Sequence, residues 1–147
     1  MCRMSRRWQL LALSGVLTVP MAVSAVNAQG GNRPALAEAM LVRQDSSDCG
    51  NSDVKADDPS RIGGTVLITR ESDGQYRVKV AITATPNTVY HFFLKCVKQL
   101  GDLKTEDEGQ AIAEFEFAAE PSAPTFDMYP EGAPAGQKFQ STPVKLP

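Results

Sequence analysis

The sequence predicts an all-β fold: a single antiparallel β-sandwich of about seven strands, with a small closed β-barrel as the alternative. Three observations predict it. Apolar residues recur with a period of two through the middle of the chain, clusters of Gly, Pro, Asn and Asp separate short β-rich runs, and no helical period, heptad, repeat or inter-domain linker appears.

Residues 1–28 stand apart from that pattern. Arg3, Arg6 and Arg7 precede an apolar run from Trp8 to Val26 that closes on Val26-Asn27-Ala28, the basic, apolar, small-residue order of a cleavable export signal. Gln9, Ser14 and Pro20 interrupt the run, which argues against a membrane anchor. Cleavage is expected after Ala28, with Ala25 as the second site. Ser5-Arg6-Arg7 has the look of a twin-arginine signal, but Gln9 stands where such a signal carries a large apolar residue, so the general secretory route is favoured. Cys2 is far from the cleavage point and gives no support for a lipid anchor. Residues 29–147 then form one domain, periplasmic or secreted, with no membrane span left after cleavage.

The leader holds three of the 15 basic residues and none of the 17 acidic ones, so the remainder carries 12 against 17, a net charge near −5. Its basic residues are dispersed, and this balance argues against nucleic acid or an anionic membrane as partner, since both need a clustered basic face. Cys49 and Cys96 are the cysteines left. In an oxidising compartment they are expected to form a disulfide, and closing a loop of about 47 residues stabilises the fold by about 4 kcal/mol in the chain-entropy model.

The elements follow in order. Ala35 to Val42 is read as an opening strand despite residues that favour helix, because the segment is short and its surroundings are β-like. Asp45 to Ser60 is a polar loop carrying Cys49. Thr65 to Thr69 is β-rich, Ser72-Asp73-Gly74 signals a turn, and Tyr76, Val78, Val80 and Ile82 alternate with Arg77, Lys79, Ala81 and Thr83, which makes a hairpin with one wet face. Thr85-Pro86-Asn87 breaks the chain. Thr88 to Val97 has Tyr90, Phe92, Leu94 and Cys96 on one face and Val89, Phe93 and Val97 on the other, so it is placed mid-sheet with Cys96 pointing inward. Glu106-Asp107-Glu108-Gly109 is read as the turn of a second hairpin, whose far strand carries Ala111, Ala113, Phe115 and Phe117 on one face. Six of the 10 prolines lie from Pro121 onward, which predicts two edge pieces, around Thr125 to Tyr129 and Lys138 to Leu146. This pattern argues for a sandwich of immunoglobulin-like type, although Trp8, the one tryptophan, lies in the leader and the Cys-Trp-Cys spacing of antibody domains is absent.

No residue pattern supplies a catalytic, cofactor or metal site. His91 is the one histidine, too few for a zinc or copper site without partners, and Ser72, Ser122 and Ser141 stand in no Gly-x-Ser-x-Gly elbow. Asp45, Asp48, Asp53, Asp57 and Asp58, with Glu106, Asp107 and Glu108, read as solvated turn charges, since neither group follows a calcium-loop pattern. Glu114 and Glu116 share a strand face roughly 7 Å apart, a carboxylate pair that an outward face explains without glycosidase chemistry.

Thr85-Pro86-Asn87-Thr88-Val89-Tyr90 and Leu100-Gly101-Asp102-Leu103-Lys104-Thr105-Glu106-Asp107-Glu108-Gly109 resemble small exported bacterial β-sandwich domains, in which Pro-Asn-Thr-x-Tyr precedes Leu-Gly-x-Leu-x-Thr-Asp-x-x-Gly. Glu106 stands where the pattern has aspartate. The resemblance implies a fold and a compartment and carries over no catalytic residue. The function expected is a non-enzymatic extracytoplasmic module with a binding or structural role in the cell envelope, its partner a protein or glycan, with Tyr129 and the segment Pro130 to Gly136 as its exposed candidate surface. The alternative is a metal-dependent or hydrolytic enzyme that folds the Asp45 to Ser60 loop over His91.

Overall fold

The computed structural model describes residues 37–45, 48–51, 54–118 and 124–146; the export signal and its cleavage sites lie outside them. Within them the alternating runs form β1 (Ala37–Gln44), β2 (Ile62–Arg70), β3 (Tyr76–Thr83), β4 (Val89–Leu94), β5 (Lys98–Lys104), β6 (Gln110–Phe117), β7 (Phe126–Pro130) and β8 (Lys138–Ser141). All pair antiparallel in one 8-stranded sheet ordered β5-β4-β7-β8-β1-β2-β3-β6. The all-β fold is as predicted, and its closure is the barrel-like one of the two architectures considered. Edge strands β5 and β6 come together side chain to side chain, with no β5–β6 ladder among the described residues: Phe115 of β6 covers Gly101 of β5 so closely that a Cβ there would lie 2.4 Å from its ring.

Alternation decides which face each strand buries. Tyr76, Val78, Val80 and Ile82 of β3 are buried, as are Tyr90, Phe92 and Leu94 of β4, because the closed sheet has a dry inside and a wet outside. Across the interior, Phe92 stacks on Phe115 at 5.3 Å and on Phe126 at 5.5 Å; Phe126 meets Phe117 edge-on at 5.4 Å, and Phe117 stacks on Tyr76 at 5.5 Å. Outside, Arg77 reaches Glu114 at 3.5 Å, Glu116 at 3.2 Å and Glu71 at 3.1 Å. The Glu114–Glu116 pair is therefore the outward ion-paired face of β6.

Several elements differ from expectation. The predicted strand Thr88 to Val97 ends at Leu94, and Lys95-Cys96-Val97 is the turn of a β4–β5 hairpin, which raises the strand number to eight. Cys96 is exposed in that turn with φ +59° instead of pointing inward. Glu106 to Gly109 forms a turn, but the strands on either side do not pair as a hairpin: β5 pairs with β4 and β6 with β3. β7 and β8 are interior to the sheet order, not edges. Their mutual ladder is short, with Asp127↔Gln140 and Met128↔Phe139 as the paired positions, and Pro130 is the last residue of β7.

The two halves of the Pro-Asn-Thr-x-Tyr and Leu-Gly-x-Leu-x-Thr motif form one corner. Buried Thr105 accepts from the Thr88 amide at 2.9 Å and donates to the Thr85 carbonyl at 2.6 Å, while Gly109, at φ +80°, lies so near the Ala84 carbonyl that any Cβ would collide at 2.2 Å. The Tyr90 hydroxyl accepts from the Thr85 amide at 3.2 Å. Turn chemistry gathers these residues, so the motif is structural.

Truncating Phe92 to alanine removes the ring shared by two stacks and is expected to cost about 3 to 5 kcal/mol. Glu114→Ala, on the exposed face, is expected to change stability by less than about 0.5 kcal/mol. Urea unfolding of both variants checks the pair, and equal losses would contradict this division of inside from outside.

Candidate functional site

Register builds two rows on the outer face of the sheet. Gln99, Phe93, Asp127, Gln140 and Val42 stand opposite one another across β5, β4, β7, β8 and β1, and Asp102, His91 and Tyr129 form the neighbouring row. The polar loop lies over part of the first row. Its Asn51 carbonyl accepts from Gln140 Nε2 at 2.7 Å and from Lys95 Nζ, which also donates to Gln140 Oε1 at 2.7 Å. Lys95 and Gln140 are buried there, as is Val54, so a loop with little apolar material is held by a saturated polar network.

The Cys49–Cys96 disulfide ties the same loop to the β4–β5 turn, with Cα atoms 5.8 Å apart. Beside it opens a cleft of about 520 Å³ lined by Phe93, Tyr129, Val97, Lys98, Lys138 and Ala133, with Asp48, Asp127 and the disulfide completing its wall. Phe93 and Tyr129 stack in it with ring centroids 4.8 Å apart and planes 19° apart. Ala133 adopts φ +40°, a left-handed conformation that a residue with Cβ takes at some cost, and its amide donates to the Pro130 carbonyl at 2.9 Å. Burial and the negative charge of Asp127 both push the Tyr129 hydroxyl above its ordinary value near 10, so at neutral pH it is a protonated donor.

His91 is half-buried beside this cleft. Its Nδ1 lies 2.7 Å from Asp102 Oδ1, which also accepts from Gln99 Nε2 at 2.6 Å, and its Nε2 lies 3.7 Å from Glu131. Asp102 arrives there through a β-bulge: β4 and β5 shift register between Phe92 and Phe93. The pair orients the imidazole, with one carboxylate on each nitrogen. Three of the loop carboxylates that the enzyme alternative draws on have partners other than His91. Asp48 accepts from the Asn51 amide at 2.8 Å, Asp45 pairs with Arg61 at 3.5 Å, and Asp58 accepts from Ser60 N and Oγ at 3.0 and 2.6 Å, bonds that hold its carboxyl below the usual range. Asp53 and Ser122 lie outside the described residues. Ser141 is buried and accepts from the Phe126 amide at 2.9 Å, and Ser72 lies in the β2–β3 turn. Among the described residues no group of three or more His, Cys, Asp or Glu side chains is placed to hold a metal ion, and no helix is long and apolar enough to cross a membrane.

Sequence reasoning singled out Tyr129, His91 and the cysteines. It missed the Phe93–Tyr129 stack and the flanking Lys98 and Lys138, which meet through strand pairing between distant segments. Phe93 carried one signal, an aromatic on the face opposite Phe92.

Reduction of Cys49–Cys96 is expected to release residues 48–58 before the sheet melts. Hydrogen exchange should speed up in that loop while β3 and β6 stay protected, and non-reduced mass spectrometry should find the two cysteines in one linked peptide pair. Two free thiols in protein from its own compartment would contradict the pairing. The elevated Tyr129 value makes a separate prediction. The fold favours the neutral phenol, so that contribution is complete below about pH 10 and is lost as the pH rises through the raised value. The difference between the alkaline absorbance titrations of wild type and Tyr129→Phe should show a transition above the ordinary one; Asp127→Asn should lower it only partly, because burial is the larger cause. A transition at the ordinary value would contradict the raised one.

Comparison with family models and with curated proteins finds no match to this chain.

Proposed function

We propose that this chain is an exported, non-enzymatic binding module that works in the periplasm or outside the cell and uses the Phe93–Tyr129 cleft to hold a protein or glycan of the cell envelope. The observation that carries this reading is the cleft itself. Two stacked aromatics sit on the outer face of interior strands, beside a disulfide and the turn that follows β7, where a sheet with no partner would ordinarily present polar residues. Aromatic side chains concentrate binding energy because they bring large area at little entropic cost.

Other features support the compartment and the class. The basic, apolar and small-residue order of residues 1–28 is that of an export signal, and a disulfide closing 47 residues is at home in an oxidising space. The likeness to small exported bacterial β-sandwich domains points the same way. Asp45, Asp48 and Asp58 are engaged in turns and an ion pair, and His91 is oriented by Asp102 and Glu131.

The test compares wild type with Tyr129→Ser, which removes the ring from a half-exposed position without touching the core. Wild-type protein immobilised against native envelope extract and a glycan array should retain a partner that Tyr129→Ser loses by about tenfold or more, with thermal unfolding little changed. Equal retention by both proteins, or none by either, would reject the cleft as the binding surface.

A further inference from the structure

Each ring nitrogen of His91, the one histidine of the chain, faces a carboxylate from a different element. Nδ1 lies 2.7 Å from Asp102 Oδ1 on β5, and Nε2 lies 3.7 Å from Glu131 Oε2 in the turn that follows β7. A neutral imidazole has a single N–H, and so close a contact with a carboxylate oxygen claims it for Nδ1. Nε2 then turns a bare lone pair towards the Glu131 carboxylate, an acceptor facing an anion. The imidazolium carries an N–H on both nitrogens and serves both carboxylates at once. The Glu131 side chain is 98% exposed, so burial does not place it beside the ring. Residues 131–137 are folded by two local bonds, from the Ala133 amide to the Pro130 carbonyl at 2.9 Å and from the Gln137 amide to the Pro134 carbonyl at 3.2 Å. Both stay within the β7–β8 connection, whereas the Glu131 contact reaches out of it to β4. Ala133, two residues beyond Glu131, lines the Phe93–Tyr129 cleft.

We propose that His91 is a proton-operated latch: the imidazolium holds Glu131, and with it the Pro130–Ala133 turn at the wall of the Phe93–Tyr129 cleft, and the neutral ring releases that turn. The titratable groups around the ring are Asp102 and Lys104 on β5, Tyr129 and Asp127 on β7, and Glu131, while its neighbours along the face of β4 are Val89 and Phe93. Carboxylates, ammonium groups and phenols ordinarily keep one charge state between about pH 5.5 and 8, and burial moves Tyr129 further from that window. An imidazole changes its charge within it. Fastening the turn and taking up the proton are reciprocal, so the turn is held on the acid side of the imidazole titration and freed as the pH rises through it. The latch concerns the turn and stands apart from what the cleft binds.

NMR of the disulfide-intact protein reads the ring and the turn together. At about pH 8 the ring-nitrogen shifts of His91 should report the Nδ1–H tautomer. On acidification to about pH 5.5 the amide resonances of Glu131, Gly132 and Ala133 should move with the midpoint of the ring, and protection of the Ala133 amide, taken relative to the unstructured exchange rate at each pH, should rise about two- to fivefold. Glu131→Gln should abolish that gain while the ring still titrates and the melting temperature changes little. His91→Gln should show the same protection at both pH values. An Nε2–H tautomer on the alkaline side, turn resonances that do not follow the ring, or a gain retained in either variant would overturn the latch. Partner retention lost in Tyr129→Ser decides the cleft separately.

Discussion

The fold depends on a line of aromatic contacts that crosses the interior from β6 to β4, β7, β6 again and β3: Phe115, Phe92, Phe126, Phe117 and Tyr76. A sheet of eight strands with unpaired edges at β5 and β6 has no ladder to close it, so side chains must draw its two halves together. Phe92 and Phe126 stand on one half, Phe115, Phe117 and Tyr76 on the other. Their rings supply large buried area and geometrically specific contacts at the same time. Gly101 is the complement of this arrangement, because the seam closes only where a strand residue has no side chain in the way of Phe115.

With the inside closed by aromatics, the outside can afford irregularity. The polar loop that follows β1 has one buried apolar residue, Val54, and it is fixed instead by the disulfide and by Lys95, Gln140 and the Asn51 carbonyl. Such a network is stable only if complete, since each buried donor left without a partner costs about 1 to 3 kcal/mol. The network and the disulfide act on one place, Lys95 and Cys96 being adjacent in the β4–β5 turn. Cys96 in a left-handed conformation is the residue around which the strand turns back, and the same turn sets one wall of the cleft.

What was legible in the sequence follows from what is local. The period of two in Tyr76 to Ile82 and the Ser72-Asp73-Gly74 turn are decided within a few residues, and both are found as read. The β4–β5 hairpin was not legible. Its turn, Lys95-Cys96-Val97, lacks glycine, proline and asparagine, and the left-handed residue is a cysteine. The Glu106 to Gly109 turn has strong turn chemistry and joins strands that pair elsewhere, because a turn fixes chain direction while pairing is chosen by the whole core. Proline likewise reports a local constraint. It limits where a strand ends, as Pro130 does for β7, and leaves the strand's position in the sheet open.

The site shows the same division one level up. A regular continuation of the hairpin from Leu94↔Lys98 would put Gly101 opposite His91. The bulge beside Phe93 puts Asp102 there and brings Gly101 opposite Phe92, on the side where Phe115 needs room. One extra residue therefore serves both faces of the sheet: inward it seats the glycine that lets the seam close, and outward it gives His91 its carboxylate. The oriented histidine is thus explained by the packing of the barrel, and the feature of the outer face that packing does not account for is the Phe93–Tyr129 stack.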